Sequence, residues 1–414
     1  MAQKFEQAGY EIEQVAEKAD IVIVNTCTVT NMSDRKSRQM LRRCKESNKD
    51  CVLIATGCYA QVGKEKLQQI PEIDIILGNN EKNDIVKYVE EYIENRQEML
   101  ITTDLMYQKE FREFGTTTYT EKTRAFIKIQ DGCDRFCSYC IIPYARGRVR
   151  SRNPENILEE INKIVEKGIQ EVVITGIHIA SYGKDLKQDI TLIDLLKKLN
   201  QIPKLKRIRI GSLEPLIITE EFVERLKKLE KVCSQFHLSL QSGCDETLKR
   251  MNRRYLTSDI LKVTKLLKDN YPDVILTTDI IVGFPGEDEN EFNETYKFLK
   301  DLGLYKIHVF KYSKREGTKA AAMPKQVPEE TKDIRSKKII ELSNDNIKNI
   351  NKKYIGQEME VLIEEKENGY FVGHTKNYIL VKSTSDDEKI INKMVKVLIN
   401  DNLEEVLLGN VTKL

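Results

Sequence analysis

Three cysteines spaced Cys133-x-x-x-Cys137-x-x-Cys140, in IQDGCDRFCSYCIIPY, constrain this chain more than any other feature. They directly follow AFIKIQ (125–130), a strand-type run, and so stand at the carboxyl end of that strand. Thiolates ligate iron–sulfur clusters, and three close thiolates can hold three irons of a cubane while leaving the fourth open. Cys137-Ser-Tyr-Cys140 taken alone is a CxxC, open to reading as a dithiol or as half a zinc site. No second Cys or His pair lies nearby to complete a zinc site. The remaining cysteines are not a disulfide framework either. Four lie between Cys27 and Cys58, and two are isolated at Cys233 and Cys244, a clustering that points to metal or redox chemistry.

An open fourth iron can chelate the amino and carboxylate groups of S-adenosylmethionine. An electron delivered there breaks the sulfonium C–S bond and gives a 5′-deoxyadenosyl radical.

The rest of the chain supplies a scaffold for such a site. At 414 residues it is long enough for two or three domains. Up to about residue 97, strand-type runs at 20–26 (DIVIVNT), 51–57 (CVLIATG) and near 73–77 alternate with helical patterns at 32–46, 63–70 and 82–95. That alternation predicts a parallel α/β sheet. A polar stretch, FGTTTYTEKTR (114–124), reads as a linker. From about 119 to 349, six strand candidates alternate with amphipathic helices. They are AFIKIQ, EVVITGI (171–177), KRIRIG (206–211), FHLSLQ (236–241), VILTTDIIVG (274–283) and KIHVFKY (306–312). Six β/α units predict a partial barrel with its chemistry at the carboxyl strand ends. One helix is explicit: Asn153 caps it, Pro154 suits its first turn, Ile157, Leu158, Ile161, Ile164 and Val165 form its stripe, and Gly168 ends it. From 352 to 414, about five short strands separated by turn signals predict a small β-barrel of the oligonucleotide-binding kind. The fold class is therefore α/β, in three parts: 1–97, 119–349 and 352–414.

The CxxxCxxC placed after the first strand of a β/α barrel resembles the radical S-adenosylmethionine superfamily. Thr175-Gly176, at the end of the second strand, resembles the loop that receives the methionine amino group. TDIIVGFPGE (278–287), with Asp279 and Gly283, resembles the segment that packs on the adenosine. In the first region, Cys27 in NTCTVT and Cys58 in TGCYAQ each follow a buried-type strand, which puts both at one edge of a parallel sheet, where such sheets bind ligands. NTC and TGCYAQ, then the cysteine barrel, then a small C-terminal barrel, resemble the methylthiotransferase family over nearly the whole chain. The resemblance implies a 4Fe–4S cluster on Cys133, Cys137 and Cys140, a second 4Fe–4S cluster in the first domain, and a C-terminal RNA-binding barrel called TRAM. In that family the first domain opens with a strand and a Leu-Gly-Cys-type motif carrying a third cysteine of the second cluster. This chain begins at the helix-like KFEQAGYEI, without either. Cys44, mid-helix, and Cys51, at the wrong end of its strand, are poor substitutes. The expectation is a misplaced start or a truncated chain, with the second cluster incompletely ligated.

Within the family, QDGCDRFCSYCIIPYARGRVRSR, TGIHIASYG and RIGSLEP look like the branch acting on N6-threonylcarbamoyladenosine in tRNA. The isopentenyladenosine branch carries a Gln-Asn pair where Ile177-His178 stands here. That branch is the alternative within the family; from another class, the alternative is a non-catalytic iron–sulfur RNA-binding protein. The implied reaction places a methylthio group on carbon 2 of the modified adenine. It needs tRNA and a one-electron reductant such as flavodoxin or ferredoxin.

Charge gives little global pull on RNA: net charge is +2, from 67 basic and 65 acidic residues. Local patches would have to serve. Arg146, Arg148, Arg150 and Arg152 alternate in RGRVRSR and, if extended, project on one face suited to phosphates. Arg35, Arg38 and Arg42 share a helix face. Residues 354–414 carry 7 Lys against 11 acidic residues, a balance of 7 − 11 = −4, so RNA binding there would need a local surface such as His374, Lys376, Asn377 and Tyr378. No apolar run approaches the roughly 20 residues of a membrane span, and no signal-peptide core opens the chain, so a cytoplasmic protein is expected.

Overall fold

The structure, a computed structural model, describes residues 1–114 and 123–413. Residues 115–122 of the expected linker lie outside the described residues. The chain divides into two compact units. One comprises 1–118, 131–151 and 313–322; the other comprises 119–130, 152–312 and 323–414.

The first unit is built on a parallel sheet in the order β1 (Ile21–Thr26), β2 (Val52–Gly57), β3 (Ile75–Leu77) and β4 (Met99–Ile101). Every residue of β2 is buried, as a central parallel strand covered on both faces requires. The helix Asn31–Ser47 covers one face with Leu41 and Cys44; the helix Ile85–Asn95 covers the other with Ile85 and Val89. Thr30 caps the first of these, its hydroxyl accepting from the Ser33 amide at 3.1 Å. The sheet runs on past residue 97 through β4. β4 is a short edge strand with no fully buried residue, so MLI lacks the buried apolar run that marks the equally short β3 in the sequence. Cys44 lies within the helix and Cys51 just before β2, both buried, as read from sequence.

In the second unit, β5 (Arg124–Asp131) contributes its first seven residues. A two-residue strand, β6 (Arg150–Ser151), comes next in the chain, after the cysteine loop. β7 (Glu171–Gly176) pairs in parallel with β5, and β8 (Arg207–Ile210) with β7. β9 (Gln235–Gln241), β10 (Ile275–Val282) and β11 (Lys306–Lys311) form a second parallel set with β10 in the middle. Parallel bridges Ile208–Val232 and Leu213–Leu238 join the two sets. The result is the partial six-stranded barrel. The helix Pro154–Glu166 starts as expected, with the Asn153 side chain accepting from the Glu155 amide, and it buries Ile157, Ile161, Ile164 and Val165.

The helix Glu329–Asn351 leads to a closed five-stranded barrel in the order β12 (Glu358–Glu367), β13 (Tyr370–Thr375), β14 (Leu380–Thr384), β16 (Val406–Lys413), β15 (Met394–Leu403). Val361, Ile363, Phe371, Val381 and Val397 fill it. It packs on the amino ends of β5, β7 and β8 through an ionic layer. Glu171, fully buried, is surrounded by Arg209 (3.0 Å), Arg124 (3.6 Å) and Arg207 (3.7 Å). Burial alone would raise its carboxyl, but the arginines outweigh that and hold it below the usual carboxylate range. The same arginines reach outward: Arg207 to Glu360 and the His374 carbonyl, Arg209 to the Lys376 carbonyl, Arg124 to Glu364 and the Tyr378 hydroxyl.

This layer corrects the expected RNA surface. Asn377 is buried and donates to the Asp273 carbonyl and the Tyr354 hydroxyl, and Lys376 donates to the Glu230 carbonyl. His374 and Tyr378 stack on each other within the ionic layer. The four residues fasten one barrel to the other, because a turn between β13 and β14 is also where the larger barrel meets the smaller.

Candidate functional site

In the first unit the two cysteines after the sheet strands come out level. Thr26 and Gly57 are register partners, and Cys27 and Cys58 are the residues that follow them. Both therefore lie at the carboxyl edge, as expected from sequence. Gly57 is required there: its φ is +109°, and a Cβ would stand 2.3 Å from the Thr26 carbonyl oxygen. Cys27 is exposed and Cys58 partly so. The Cys58 Sγ faces donors, Arg146 Nε at 3.1 Å and Asn79 Nδ2 at 3.7 Å. Donors aimed at a sulfur suit a thiolate, the form a metal needs.

The residue after Cys27 is also held. Arg315, buried, donates to Thr28 Oγ1 (2.6 Å), Asn31 Oδ1 (2.7 Å) and Asp34 Oδ2 (2.7 Å). Sequence reasoning missed Arg315, since nothing local in SKREGTK ties it to a segment some 280 residues earlier.

The CxxxCxxC loop belongs to this unit too. It opens at Gly132, whose φ is +70° and whose Cβ would stand 1.8 Å from the Arg148 carbonyl oxygen. The Cys133 amide donates to the Gly147 carbonyl (3.0 Å), closing the loop on itself, and Gly147 in turn has a φ of +73° with no room beside the Leu105 carbonyl. The Cys140 amide donates to the Cys137 carbonyl, and the Arg135 amide lies 3.5 Å from the Cys133 Sγ. Asn79 donates to the Ala145 carbonyl at 2.9 Å, and the Ala320 amide to the Ser138 carbonyl at 2.8 Å. None of the three cysteines is in a disulfide, and all three are partly exposed. Burial pushes the Cys133 thiol up to about 11, so near neutrality it keeps its proton until a cation displaces it. Among the described residues, no three metal-ligating side chains already converge on a point. A glycine-locked loop carrying three cysteine sulfurs outside any disulfide nevertheless has the donor chemistry an iron–sulfur cluster takes.

The arginine ladder turns out differently from its sequence reading. Arg146 ends the short helix Ile142–Arg146 and lies against Cys58 and Asp131. Burial alone would lower its pKa, but Cys58 and Asp131 more than offset that. Arg150 is buried and donates to the Arg146 and Arg148 carbonyls. Arg152 is buried and paired with Glu160. The four do not make one extended face: Arg146 ends a helix, and only Arg150 and Arg152 turn inward, where carbonyls and a carboxylate satisfy them. Arg148 alone of the four is exposed, its guanidinium over the Phe136 ring and 3.5 Å from Asp134. On the helix face read as basic, Arg35 and Arg42 are exposed, while Arg38 donates to the Tyr59 hydroxyl.

In the second unit, Thr175 and Gly176 end β7, with Gly176 exposed. His178, just beyond, is bonded at both ring nitrogens, to Ser181 Oγ (2.7 Å) and Glu214 Oε2 (3.2 Å). Asp279, partly exposed on β10, pairs with His237 on β9 at 3.2 Å. His237 also bonds Thr277, and its ring lies 5.7 Å from that of His308 on β11. His237 and His308 went unnoticed in the sequence, although His237 alternates with buried residues on its strand. Gly283 is buried; its amide donates to Glu287 and a Cβ would strike Lys332. It shapes the turn after β10.

Comparison with known proteins agrees with this three-part reading. Family models match at residues 1–78 (Uncharacterized protein family UPF0004), 127–299 (Radical SAM superfamily) and 352–412 (TRAM domain). The threonylcarbamoyladenosine tRNA methylthiotransferase MtaB of Bacillus subtilis is 41% identical, covering 96% of this chain and 89% of its own. That of Aquifex aeolicus is 38% identical over 96% and 95%. The tRNA-2-methylthio-N(6)-dimethylallyladenosine synthase of Clostridium novyi is 36% identical over 90% and 84%. Among solved structures, the radical S-adenosylmethionine methyltransferase TsrM of Kitasatospora setae, at 14% identity and a TM-score of 0.54 over 73% of this chain and 65% of its own, shares the fold. This chain belongs to the MtaB tRNA methylthiotransferase family.

Proposed function

We propose that the protein is a radical S-adenosylmethionine enzyme that adds a methylthio group to carbon 2 of N6-threonylcarbamoyladenosine in tRNA. The observation that carries this is the glycine-locked loop bearing Cys133, Cys137 and Cys140, which follows β5 of a partial barrel in a chain 41% identical to the B. subtilis MtaB protein. The second reading, the dimethylallyladenosine branch, is favoured by relatives at 36% identity. The stronger match and Ile177-His178 support the first.

Cys133, Cys137 and Cys140 would hold one 4Fe–4S cluster, with Cys27 and Cys58 serving the second. Bound there, a reduced cluster supplies the electron that cleaves S-adenosylmethionine. Thr175, Gly176 and Asp279 are the proposed contacts for S-adenosylmethionine, Gly283 setting the turn behind them. The residues of this chain orient and shield rather than react. Gly132 and Gly147 fix the loop, Arg135 offers its amide toward the Cys133 sulfur, and Glu214 and Ser181 fix the ring of His178. A one-electron reductant, flavodoxin or ferredoxin, is a required partner. The site of action would be the cytoplasm; no helix among the described residues is long and apolar enough to cross a membrane.

Anaerobically reconstituted protein tests the reading. With dithionite and S-adenosylmethionine it should release 5′-deoxyadenosine, and each of Cys133→Ala, Cys137→Ala and Cys140→Ala should abolish release. Normal cleavage by any of the three variants would remove that cysteine from the site.

A further inference from the structure

On the inner face of the larger barrel, His308 and Phe310 of β11 stand exposed while their neighbours are paired. One side of β9, β10 and β11 packs under the helices, where Leu238, Ile280 and Ile307 join Ile260, Phe292 and Leu299 in the core. The opposite side faces the barrel interior. By the two-residue alternation of the strands it carries His237, Thr277, Asp279, His308 and Phe310. His237 is bonded at both ring nitrogens, to Thr277 Oγ1 (3.0 Å) and Asp279 Oδ2 (3.2 Å). His308 pairs in register with Asp279, and its ring lies 5.7 Å from that of His237; among the described residues its nitrogens make no hydrogen bond. Phe310, two residues nearer the carboxyl end, is 46% exposed, with no ring or cation stacked on it among the described residues. A lone exposed phenylalanine on a convex surface is ordinary. On a concave face, beside a histidine with open nitrogens, it lines a place where a ligand can sit.

Charge decides which ligand. β9, β10 and β11 carry no arginine, and their two lysines are both paired, Lys306 with Glu405 and Lys311 with Asp333. A phosphate finds no open cation here, whereas a flat heterocycle finds a ring to stack on and a side chain to bond. Burial, and then the neighbouring His237, hold the His308 imidazole below its ordinary pKa; Lys306 adds to this, while Asp279 and Glu405 oppose it. Near neutrality the ring is uncharged and offers one N–H and one bare nitrogen. A carbamoyl group, with its own N–H and C=O, complements that pair. A hydrocarbon substituent leaves both unmet.

We infer that His308 and Phe310 seat the modified adenine of the substrate, Phe310 stacking on the base and His308 bonding the carbamoyl group on N6. His308 is thus the residue that separates a carbamoyl from a hydrocarbon substituent. The inference rests on the reading of the protein as a threonylcarbamoyladenosine methylthiotransferase, and the test separates the two.

Anticodon stem-loop RNAs carrying N6-threonylcarbamoyladenosine, N6-isopentenyladenosine or plain adenosine at the same position are titrated against the full reconstituted protein at one salt concentration. The parent should prefer the threonylcarbamoyl RNA. His308→Ala should reduce that preference about tenfold, the scale of a polar group left unpaired. His308→Leu, similar in volume but without hydrogen-bonding groups, should do the same, and it decides the matter if the alanine variant fails to fold. His308→Gln, which keeps a donor and an acceptor, should retain most of the preference. Phe310→Ala should weaken binding of all three RNAs about tenfold, as loss of a stacking platform does, and Phe310→Tyr should not. A preference unchanged in His308→Ala and His308→Leu overturns the role of His308, and full affinity in Phe310→Ala overturns that of Phe310, both leaving the proposed function standing. A parent that prefers the isopentenyl RNA, or binds all three alike, overturns the proposed function itself and the inference with it.

Discussion

The Arg209 guanidinium lies 4.3 Å from the centre of the Tyr378 ring, and on Tyr378 the His374 ring stacks at 4.4 Å and 17°. An aromatic that in sequence looks like a stacking platform for RNA bases thus serves as the joint between two barrels. Tyr378→Ala should destabilise the protein by about 1 kcal/mol, the scale of a cation–π contact on a ring that is still 37% exposed, seen in urea denaturation. Its tRNA affinity should keep the same salt dependence. A lowered slope would mean that the ring meets RNA after all.

Glu171 is the anion of the same joint. Its replacement by Gln leaves Arg124, Arg207 and Arg209 buried around a neutral group, and breaking one partner of a buried ionic cluster costs about 3–5 kcal/mol. Glu171→Gln should therefore lower the thermal midpoint more than Tyr378→Ala. Calorimetry of both variants checks the order, and a milder effect in Glu171→Gln would show the ionic layer to be dispensable.

The arginine ladder gives a contrast within one motif. Arg148→Ala should flatten the dependence of tRNA affinity on salt by about one unit of log–log slope. Arg150→Ala should leave the slope unchanged and lower stability instead, because Arg150 is buried on backbone carbonyls. Fluorescence titrations across a salt series measure both.

How far the sequence could be read follows from the range of the interactions involved. Strand period, cap and turn chemistry are local, and they place the six barrel strands, the Asn153 cap and the five-stranded C-terminal barrel where they are found. The CxxxCxxC spacing is visible in the sequence because it is local, and its place at the end of β5 follows from the strand before it. The alternation of Arg150 and Arg152 is legible as a shared face, but which side that face meets depends on Asp131 and Glu160, and no local pattern encodes that. Arg315 reaching Thr28, and Tyr378 reaching Arg209, are likewise contacts made only by the finished fold. β4 escapes the sequence for another reason: it is a short edge strand with no fully buried residue, whereas the equally short β3 is buried throughout.

Loop geometry gives a test of the cysteine site that leaves every ligand in place. Gly132→Ala puts a Cβ into the Arg148 carbonyl and demands a left-handed backbone of a side chain that disfavours it. The variant should lose most of the iron held by Cys133, Cys137 and Cys140 while its far-ultraviolet circular dichroism stays that of the parent. Full iron content would show that the loop closes without the glycine.

The identity of the modified nucleoside decides the central claim. Nucleoside mass spectrometry of tRNA from a strain lacking its own threonylcarbamoyladenosine methylthiotransferase, complemented with this protein, measures it directly. The expected result is the appearance of 2-methylthio-N6-threonylcarbamoyladenosine, lost again with Cys137→Ala, and no change in isopentenyl nucleosides. Appearance of 2-methylthio-isopentenyladenosine in its place would contradict the account.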